Sequence, residues 1–251
     1  GKTPARSALD LKRSNARVDD ASRTAETALD DPFLTTVRVV VVNADVELGL
    51  HGAVVLEWRI RSTPGAAAGV KFYCAYPMSP ASGVLHWMAR NGRELGIMVR
   101  QVEDEISVAN MTIGAAHTGC RAMSATSGGG FALMTEALGS AAMMEIPVVF
   151  INVQRAGPST GVPTKTEQGD LWQVLGASQG DFERFIVAPT DALDAFKTIP
   201  ELFNLVDKCQ CPGIVISDLL ISEGTFSVDP DDINMRPKID RGELISEASK
   251  T

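Results

Sequence analysis

Residues 121–153 read RAMSATSGGGFALMTEALGSAAMMEIPVVFINV, a pattern that indicates a strand, a turn, a helix and a second strand. Residues 121–125 have the length and composition of a strand, and the glycine run 128–130 then turns the chain. Residues 131–144 have the length and apolar spacing of a helix, and residues 147–153 form a near-continuous apolar run of strand length. Such a run is typical of a strand buried on both faces, as in a parallel sheet covered by helices.

The same alternation of short strands and helical stretches continues on both sides of this segment. Four more strands of the sheet are predicted at residues 71–75, 97–100, 185–188 and 213–217. Helices are predicted at residues 82–90 with Ser82 as N-cap, at residues 103–117, and from Thr190, as N-cap, to about residue 206. Six β/α alternations predict an α/β fold with a parallel six-stranded sheet and helices on both faces.

The composition excludes several classes of function. The chain has 251 residues, of which 45% are hydrophobic and 22% charged, the balance of a soluble globular protein. Its formal net charge of −8 provides no basic surface for a nucleic-acid backbone, so nucleic acid is not expected as a partner. The longest uncharged apolar runs have only strand length, so we expect no membrane span and a cytoplasmic location.

Cysteine and histidine residues are too few and too scattered for an iron–sulfur or zinc module, which needs CxxC-type spacing. We therefore expect no metal site on this chain, and any cluster would belong to another chain. The pair Cys209 and Cys211 is interpreted as packing near the start of a strand.

The beginning of the chain differs from the rest. Residues 1–30 contain no aromatic side chain and 11 charges of mixed sign, which is typical of an arm or an exposed helix. A strand is predicted at residues 37–42. Residues 1–64 are left unassigned, as an arm or as part of an accessory domain, and residues 65–251 form the α/β domain.

Residues 157–161 fit the GxSxG pattern of serine hydrolases, with Ser159 at its centre. In α/β-hydrolases the nucleophile lies on a strand-to-helix turn, and the histidine of the triad follows it in the chain. All three histidines of this chain precede Ser159, and Pro163 follows where the helix should run. The pattern is therefore not interpreted as a hydrolase site.

Three other features lie at predicted strand ends, and each also has a structural explanation. The acids at residues 103–105 fit a catalytic role, but the helix dipole also favours carboxylates in a first helical turn. The loop 126–130 either cradles a polar group or allows close packing. Arg155 follows a buried strand, where ligands of open α/β sheets bind. It either holds a carboxylate or ties down loop carbonyl groups.

Four segments together point to a known family. They are residues 76–80 (YPMSP), 103–105 (EDE), 126–130 (TSGGG) and 155–168 (RAGPSTGVPTKTEQ). Together they closely resemble the alpha subunit of 2-oxoacid:ferredoxin oxidoreductases, most of all its 2-oxoglutarate type, from about residue 65 to residue 220. The resemblance implies that residues 65–251 are the pyrimidine-binding domain of a thiamine diphosphate enzyme.

The resemblance also implies roles for individual residues. The family has a Glu nine positions before a Gly on one helix, and Glu105 has this spacing to Gly114, whereas Glu103 does not. Glu105 would hydrogen-bond N1′ of the aminopyrimidine and so promote loss of the C2 proton. The other residues implied for the cofactor are Tyr76, Pro77, Thr126, Ser127 and Gly128. The residues implied for the substrate are Ser79, Arg155, Thr164 and Lys165, with Arg155 on the 2-oxoacid carboxylate.

Partners are implied in the same way. Thiamine enzymes bind the diphosphate and Mg²⁺ through a GDG motif, which this sequence lacks. A beta subunit is therefore expected to carry the diphosphate-binding domain, Mg²⁺ and an iron–sulfur cluster. The implied reaction is the CoA-dependent oxidative decarboxylation of a 2-oxoacid to acyl-CoA, with ferredoxin as electron acceptor. Two alternatives remain, a non-redox thiamine diphosphate-dependent decarboxylase subunit and a degenerate scaffold subunit.

Overall fold

The computed structural model describes residues 34–41, 54–60, 64–224, 232–234 and 236–243. The chain divides into two compact units, residues 1–62 and residues 63–251. In the first unit, β1 (Leu34–Val41) and β2 (Val54–Ile60) form an antiparallel pair. The strand predicted at residues 37–42 overlaps β1, and Val42 lies outside the described residues. Strand β2 was not predicted, although its sequence is rich in β-branched residues.

The second unit contains one six-stranded parallel sheet, with the spatial order β4-β3-β5-β6-β8-β7. Its strands are β3 (Phe72–Ala75), β4 (Met98–Gln101), β5 (Ala122–Thr126), β6 (Val149–Gln154), β7 (Phe185–Val187) and β8 (Gly213–Asp218). The described helices are α1 (Pro64–Ala67), α2 (Ser82–Asn91), α3 (Glu105–His117), α4 (Gly128–Met143), α5 (Leu171–Leu175), α6 (Ala192–Cys209) and α7 (Leu219–Glu223). None of these described helices is long and apolar enough to cross a membrane.

Helices cover both faces of this sheet, as predicted. One face packs against α2 and α6, and the other packs against α3 and α4. Along β6, Ile151 and Val153 contribute to the first layer, whereas Phe150 contributes to the second, and all three are buried. A strand that is apolar on both faces is stable between two helical layers, which explains the apolar run in the sequence.

Two helix starts differ from the predicted ones. Ser82 is the first residue of α2, and Ala81 occupies the N-cap position without a side-chain hydrogen bond. At α6 the N-cap is Asp191, whose carboxylate accepts a hydrogen bond from the Asp194 amide at 2.8 Å. Thr190 lies one residue before this cap, and its hydroxyl donates to the Asp194 carboxylate at 3.3 Å. Threonine and aspartate are both good N-caps, so the sequence alone does not choose between such neighbours.

Two further predictions about helices were wrong. The glycine run 128–130 forms the first turn of α4. The helix was predicted to start at residue 131, because glycine has a low helix propensity. The sequence places Ile106, Ala109, Ile113 and Ala116 on one apolar face of the predicted helix. Ala109, Ile113 and Ala116 are buried in α3, whereas Ile106 is 50% exposed. The buried side of α3 also includes Glu105, Val108 and Thr112.

A buried ion pair lies at the amino ends of the strands. Arg121, just before β5, donates to the Asp207 carboxylate of α6 at 2.9 Å, and both side chains are 3% exposed. Arg121 also donates to the Ala68 carbonyl at 2.6 Å. Arg241 donates to the same Asp207 oxygen at 3.0 Å. Asp207 therefore lies between two guanidinium groups and ties residues 236–243 to the sheet domain.

Candidate functional site

The strand order creates a crevice at the carboxyl ends of β3 and β5. From β3 the chain passes to β4 on one side, and β5 then lies on the other side of β3. Ligands of open α/β sheets bind where the strand order reverses in this way, because neighbouring connections leave the sheet in opposite directions. The connections that leave β3, β4 and β5 begin at Tyr76, Val102 and Ser127. Predicted site residues on all three connections therefore lie along one edge of the sheet.

Glu105, the first residue of α3, is buried at this edge. The preceding Asp104 caps the helix, because its carboxylate accepts hydrogen bonds from the amides of Ile106 at 2.9 Å and Ser107 at 3.2 Å. Glu103 is exposed. Glu105 is only 3% exposed, and its Oε1 has no hydrogen-bond partner among the described residues. A buried oxygen without a partner costs free energy, which makes Glu105 a candidate for ligand binding.

The glycine turn of α4 passes directly over Glu105. A Cβ atom at Gly130 would overlap Thr126 Oγ1 and would lie 2.7 Å from Glu105 Oε1. Thr126 is 1% exposed, and its hydroxyl contacts Met78 Sδ at 3.8 Å. Ser127, the N-cap residue of α4, is fully buried, and its Oγ has no partner within the described chain. Two buried polar groups in this crevice, those of Glu105 and Ser127, therefore remain to be satisfied.

Tyr76 and Pro77 follow β3 at the same edge. Tyr76 is half-buried, and Pro77 is exposed. The negative charge of Glu103 raises the pKa of the Tyr76 phenol, first by repulsion of the phenolate and then through the hydrogen bond that the phenol donates to Glu103. The Tyr76 hydroxyl is therefore held protonated beside the acidic segment.

A cavity of about 580 Å³ opens beside the glycine turn. Its walls come mainly from the start of α4 and from the loop after β6, and Met78 adds a side chain from the β3 connection. The residues that line it include Gly128, Gly129, Arg155, Ser159, Asp170 and Gln173. A cavity of this volume is large enough for a small organic ligand.

Arg155 ties down a loop and also lines the cavity. Its Nη1 donates to the Ser79 carbonyl at 2.6 Å, which is a structural tie to a loop. Its side chain also lines the cavity, and its buried Nε has no partner among the described residues. Ser79 is itself exposed and does not line the cavity. A donor of Arg155 thus remains available for a ligand although another is already used.

The loop after β6 folds back on itself and leaves two predicted residues outside the cavity. The Ala156 amide donates to the Lys165 carbonyl at 3.0 Å, and the Val162 amide donates to the Ala156 carbonyl at 2.9 Å. Thr164 and Lys165 are exposed, and neither lines the cavity. The backbone of Lys165 therefore helps to hold the loop. Ser159, from the GxSxG pattern, lies in this loop and not on a strand-to-helix turn.

Three polar residues that were not predicted form a connected group, namely Asp170, which lines the cavity, and Asn152 and Gln154 on β6. Asn152 Nδ2 donates to Asp170 Oδ2 at 3.0 Å, and the Asp170 amide donates to Gln154 Oε1 at 2.9 Å. Asn152 is 0% exposed and Gln154 is 5% exposed. Their position at the end of an apolar strand was a usable signal, because polar side chains buried there need partners.

Of the residues around the glycine turn, Gly128 and Gly129 line the cavity, whereas Glu105, Thr126 and Ser127 do not. A cavity and a buried carboxyl group without a partner, both at the strand ends of a parallel sheet, are typical of the cofactor-binding domains of enzymes. Residues 65–247 match the family model for pyruvate flavodoxin/ferredoxin oxidoreductase, thiamine diphosphate-binding. This match covers most of the chain, and the chain belongs to that family. The family and the α/β fold predicted from the sequence are therefore confirmed.

Individual relatives agree with this assignment. The chain is 42% identical over 161 residues to the 2-oxoglutarate synthase subunit KorA of Archaeoglobus fulgidus, which covers 64% of this chain and 46% of that protein. It is 43% identical over 187 residues to the 2-oxoacid:ferredoxin oxidoreductase 1, subunit alpha, of Aeropyrum pernix, with 72% and 29% covered. The solved 2-oxoglutarate:ferredoxin oxidoreductase from Magnetococcus marinus, with 2-oxoglutarate, coenzyme A and succinyl-CoA bound, matches with a TM-score of 0.65 and 34% identity. That match covers 74% of this chain and 34% of the other, so this chain spans less than half of each of these relatives.

Proposed function

We propose that this chain is part of the alpha subunit of a 2-oxoacid:ferredoxin oxidoreductase of the 2-oxoglutarate type, with residues 65–251 as its pyrimidine-binding domain. The reaction converts a 2-oxoacid and CoA to acyl-CoA and CO₂, and two electrons pass to ferredoxin. The observation that carries the proposal is the buried Glu105 Oε1, which has no partner among the described residues and lies under the turn at Gly130. Membership of the family and the names of the relatives support the class of reaction.

The buried carboxyl oxygen of Glu105 supports thiamine diphosphate as the ligand of the crevice. Glu105 offers a buried carboxyl oxygen to N1′ of an aminopyrimidine and holds the proton at that atom. When bound, the cofactor supplies an electron sink for decarboxylation. The other residues of this chain assigned to the cofactor are Tyr76, Pro77, Thr126, Ser127 and Gly128.

Arg155 is assigned to the C1 carboxylate of the 2-oxoacid. Arg155 lines the cavity, and its buried Nε has no partner in the described chain. A guanidinium group is also the best geometric match for a carboxylate. Ser79 is assigned to the substrate as well, and Thr164 and Lys165 are assigned to its distal end. These three residues are exposed, so their contribution depends on another surface closing over them.

The second half of the active site is assigned to a beta subunit that carries the diphosphate-binding domain, Mg²⁺ and an iron–sulfur cluster. The absence of a GDG motif from the sequence and the naming of the relatives as subunits support this assignment. Coenzyme A acts as co-substrate, and ferredoxin accepts the electrons. We therefore expect the chain without a partner to turn over no 2-oxoacid. Turnover by the purified chain alone would contradict the shared site.

The experiment that tests the proposal compares Glu105→Gln with the control Glu103→Gln in the assembled complex. The two measurements are C2 deuterium exchange of bound thiamine diphosphate and 2-oxoacid-dependent reduction of ferredoxin. Glu105→Gln should lower both rates by about 10² to 10⁴, the range for loss of an acid–base group, whereas Glu103→Gln should have a much smaller effect. Equal losses in the two variants, or unchanged C2 exchange in Glu105→Gln, would contradict the assignment. Decarboxylation without ferredoxin reduction would favour the non-redox alternative, and absence of C2 exchange in the wild type would favour the scaffold alternative.

Substrate assignment is tested by kcat/KM for 2-oxoglutarate and for pyruvate in the same complex. Hydrogen bonds to charged groups are worth about 1.5 to 3 kcal/mol, so Arg155→Leu should lower kcat/KM about tenfold or more for both acids. Arg155→Lys keeps a donor for the Ser79 carbonyl but loses the guanidinium group. This variant therefore separates the structural tie to the loop from binding of the substrate carboxylate. Lys165→Met should penalise 2-oxoglutarate more than pyruvate, whereas Lys71→Met, at the amino end of β3, should affect neither. An equal loss for both acids in Lys165→Met would remove Lys165 from the substrate site.

A further inference from the structure

The first turn of α4 is not held in place by its own sequence. Glycine is unfavourable in helices, and three consecutive glycines form this turn. The N-cap residue, Ser127, makes no side-chain hydrogen bond to the helix. The same turn places Gly130 against Glu105, so its position decides the shape of the pocket. Contacts from elsewhere in the chain must therefore fix it.

Those contacts come from two residues. Asp170 lies directly before α5, and Gln173 lies within α5. A Cβ atom at Gly128 would lie 2.5 Å from Asp170 Oδ2 and 3.0 Å from Oδ1, so the carboxylate packs directly against this glycine. Gln173 Nε2 donates to the Gly128 carbonyl at 2.9 Å. A carboxylate at the start of a helix is also favoured by the helix dipole. Asp170 occupies the N-cap position of α5, yet its side chain makes no capping hydrogen bond there.

Asp170 is itself fixed by a central strand of the sheet. Its carboxylate accepts from Asn152 Nδ2, and its amide donates to Gln154 Oε1. Both partners belong to β6, which lies between β5 and β8 and is buried along its whole length. The contacts therefore run without interruption from a rigid strand, through Asp170, to the glycine turn. Asp170 and Gly128 also both line the cavity.

We propose that Asp170 is a positioning residue for the cofactor pocket, which fixes the first turn of α4 and thereby the place of Gly130 over Glu105. This inference rests on the proposed function for the identity of the cofactor. Asp170 is not among the residues assigned to the reacting atoms. Its removal should therefore weaken cofactor binding more than it lowers kcat at saturating cofactor.

Three substitutions test this role. Asp170→Ala removes the carboxylate, whereas Asp170→Asn keeps an oxygen that can accept from Asn152 but loses the charge. Asp191→Ala is the matched control. Asp191, like Asp170, is an aspartate at a helix N-cap position, but it is exposed and does not line the cavity. The first measurement is hydrogen exchange of the amides of residues 131–134 in the chain, which donate the first hydrogen bonds of α4. The second is the Kd of thiamine diphosphate with Mg²⁺ for the assembled complex, by calorimetry, together with kcat at saturating cofactor.

In Asp170→Ala, amide exchange in residues 131–134 should rise about tenfold or more, because the first turn of α4 opens more often. Cofactor Kd should rise about tenfold or more, while kcat at saturation changes less than about threefold. Asp170→Asn should fall between the wild type and Asp170→Ala, and Asp191→Ala should match the wild type. Unchanged exchange or unchanged Kd in Asp170→Ala would overturn the inference.

The two measurements also separate this inference from the proposed function. If the wild-type complex binds no thiamine diphosphate, the proposed function fails, and exchange at residues 131–134 alone decides whether Asp170 fixes the turn. If Asp170→Ala does not fold, Asp170→Asn and Gln173→Met take its place. Gln173→Met removes the second hold on Gly128 and should raise exchange of the same amides. Exchange equal to the wild type in both of these variants would overturn the inference.

Discussion

Replacing Gly130 by alanine tests the close packing between the first turn of α4 and the buried carboxyl group. The added Cβ would overlap Thr126 Oγ1 and would lie 2.7 Å from Glu105 Oε1 and 2.9 Å from Glu105 Cγ. Thr126 is 1% exposed and Glu105 is 3% exposed, so both neighbours are enclosed by other atoms. Relief of the overlap therefore requires movement of buried groups. Overpacking of this kind costs about 1 to 3 kcal/mol.

Gly129→Ala is the matched control, one residue earlier in the same turn. Its Cβ would lie 3.5 Å from the Ser159 carbonyl oxygen, which is ordinary van der Waals contact. Both substitutions gain helix propensity, by up to about 1 kcal/mol, and this gain cancels when the two variants are compared. The free energy of unfolding of Gly130→Ala should therefore be about 1 to 3 kcal/mol below that of Gly129→Ala.

Urea unfolding of the chain, followed by circular dichroism, measures this difference when the m values of the two variants agree. Equal stabilities, within about 0.5 kcal/mol, would refute the reasoning. Such a result would show that Glu105 and Thr126 move aside freely, and that neither is fixed beneath the turn.

Three further predictions concern other parts of the chain. Asp207→Asn removes the charge that balances the buried guanidinium group of Arg121. It should lower the free energy of unfolding, measured in urea, by about 3 to 5 kcal/mol. A loss below about 1 kcal/mol would contradict a buried ion pair. Burial raises the pKa of the Cys211 thiol to about 11, so its thiolate fraction at pH 8 is roughly 10⁻³. Maleimide should therefore label the exposed Cys209 much faster than Cys211, and equal labelling by peptide mass spectrometry would contradict this. Glu103→Gln should lower the pKa of the Tyr76 phenol in an alkaline absorbance titration, because the charge of Glu103 raises it. A raised pKa means that the folded chain keeps the proton longer than the unfolded chain, so the wild type should lose stability relative to Glu103→Gln as the pH rises above about 10.

The architecture could be predicted because burial on both faces leaves a direct trace in the sequence. Each central strand of a covered parallel sheet must be apolar at successive positions, and residues 147–153 show this pattern without interruption. The start of α4 could not be predicted in the same way. The glycines at 128–130 oppose a helix locally, and the contacts with Asp170 and Gln173 that hold this turn come from more than 40 positions further along the chain. Tertiary contacts overrode local propensity at that point.

The candidate site shows a similar division. Family spacing favoured Glu105 over Glu103, and the structure places Glu105 in the buried stripe of α3 and Glu103 in solvent. The other member of that spacing, Gly114, is exposed, and a Cβ there would meet no atom within 4 Å. Contacts within the described chain therefore do not explain this glycine. Lys165 was implied by the resemblance alone. It is exposed and does not line the cavity, so its role at the substrate stays a prediction.

The polar ends of β5 and β6 connect stability with ligand binding. The strand register pairs Thr126 with Asn152, so both strands end in polar residues at the same edge of the sheet. Asn152 Oδ1, Ser127 Oγ and Glu105 Oε1 are all buried and have no partner among the described residues. Each such atom costs about 1 to 3 kcal/mol when it is left unsatisfied. A ligand that supplies partners for even two of them would recover a substantial part of the stability of a domain of this size. The buried polar atoms at this edge therefore lower the stability of the chain by itself, and the same atoms favour binding of a polar ligand in the crevice.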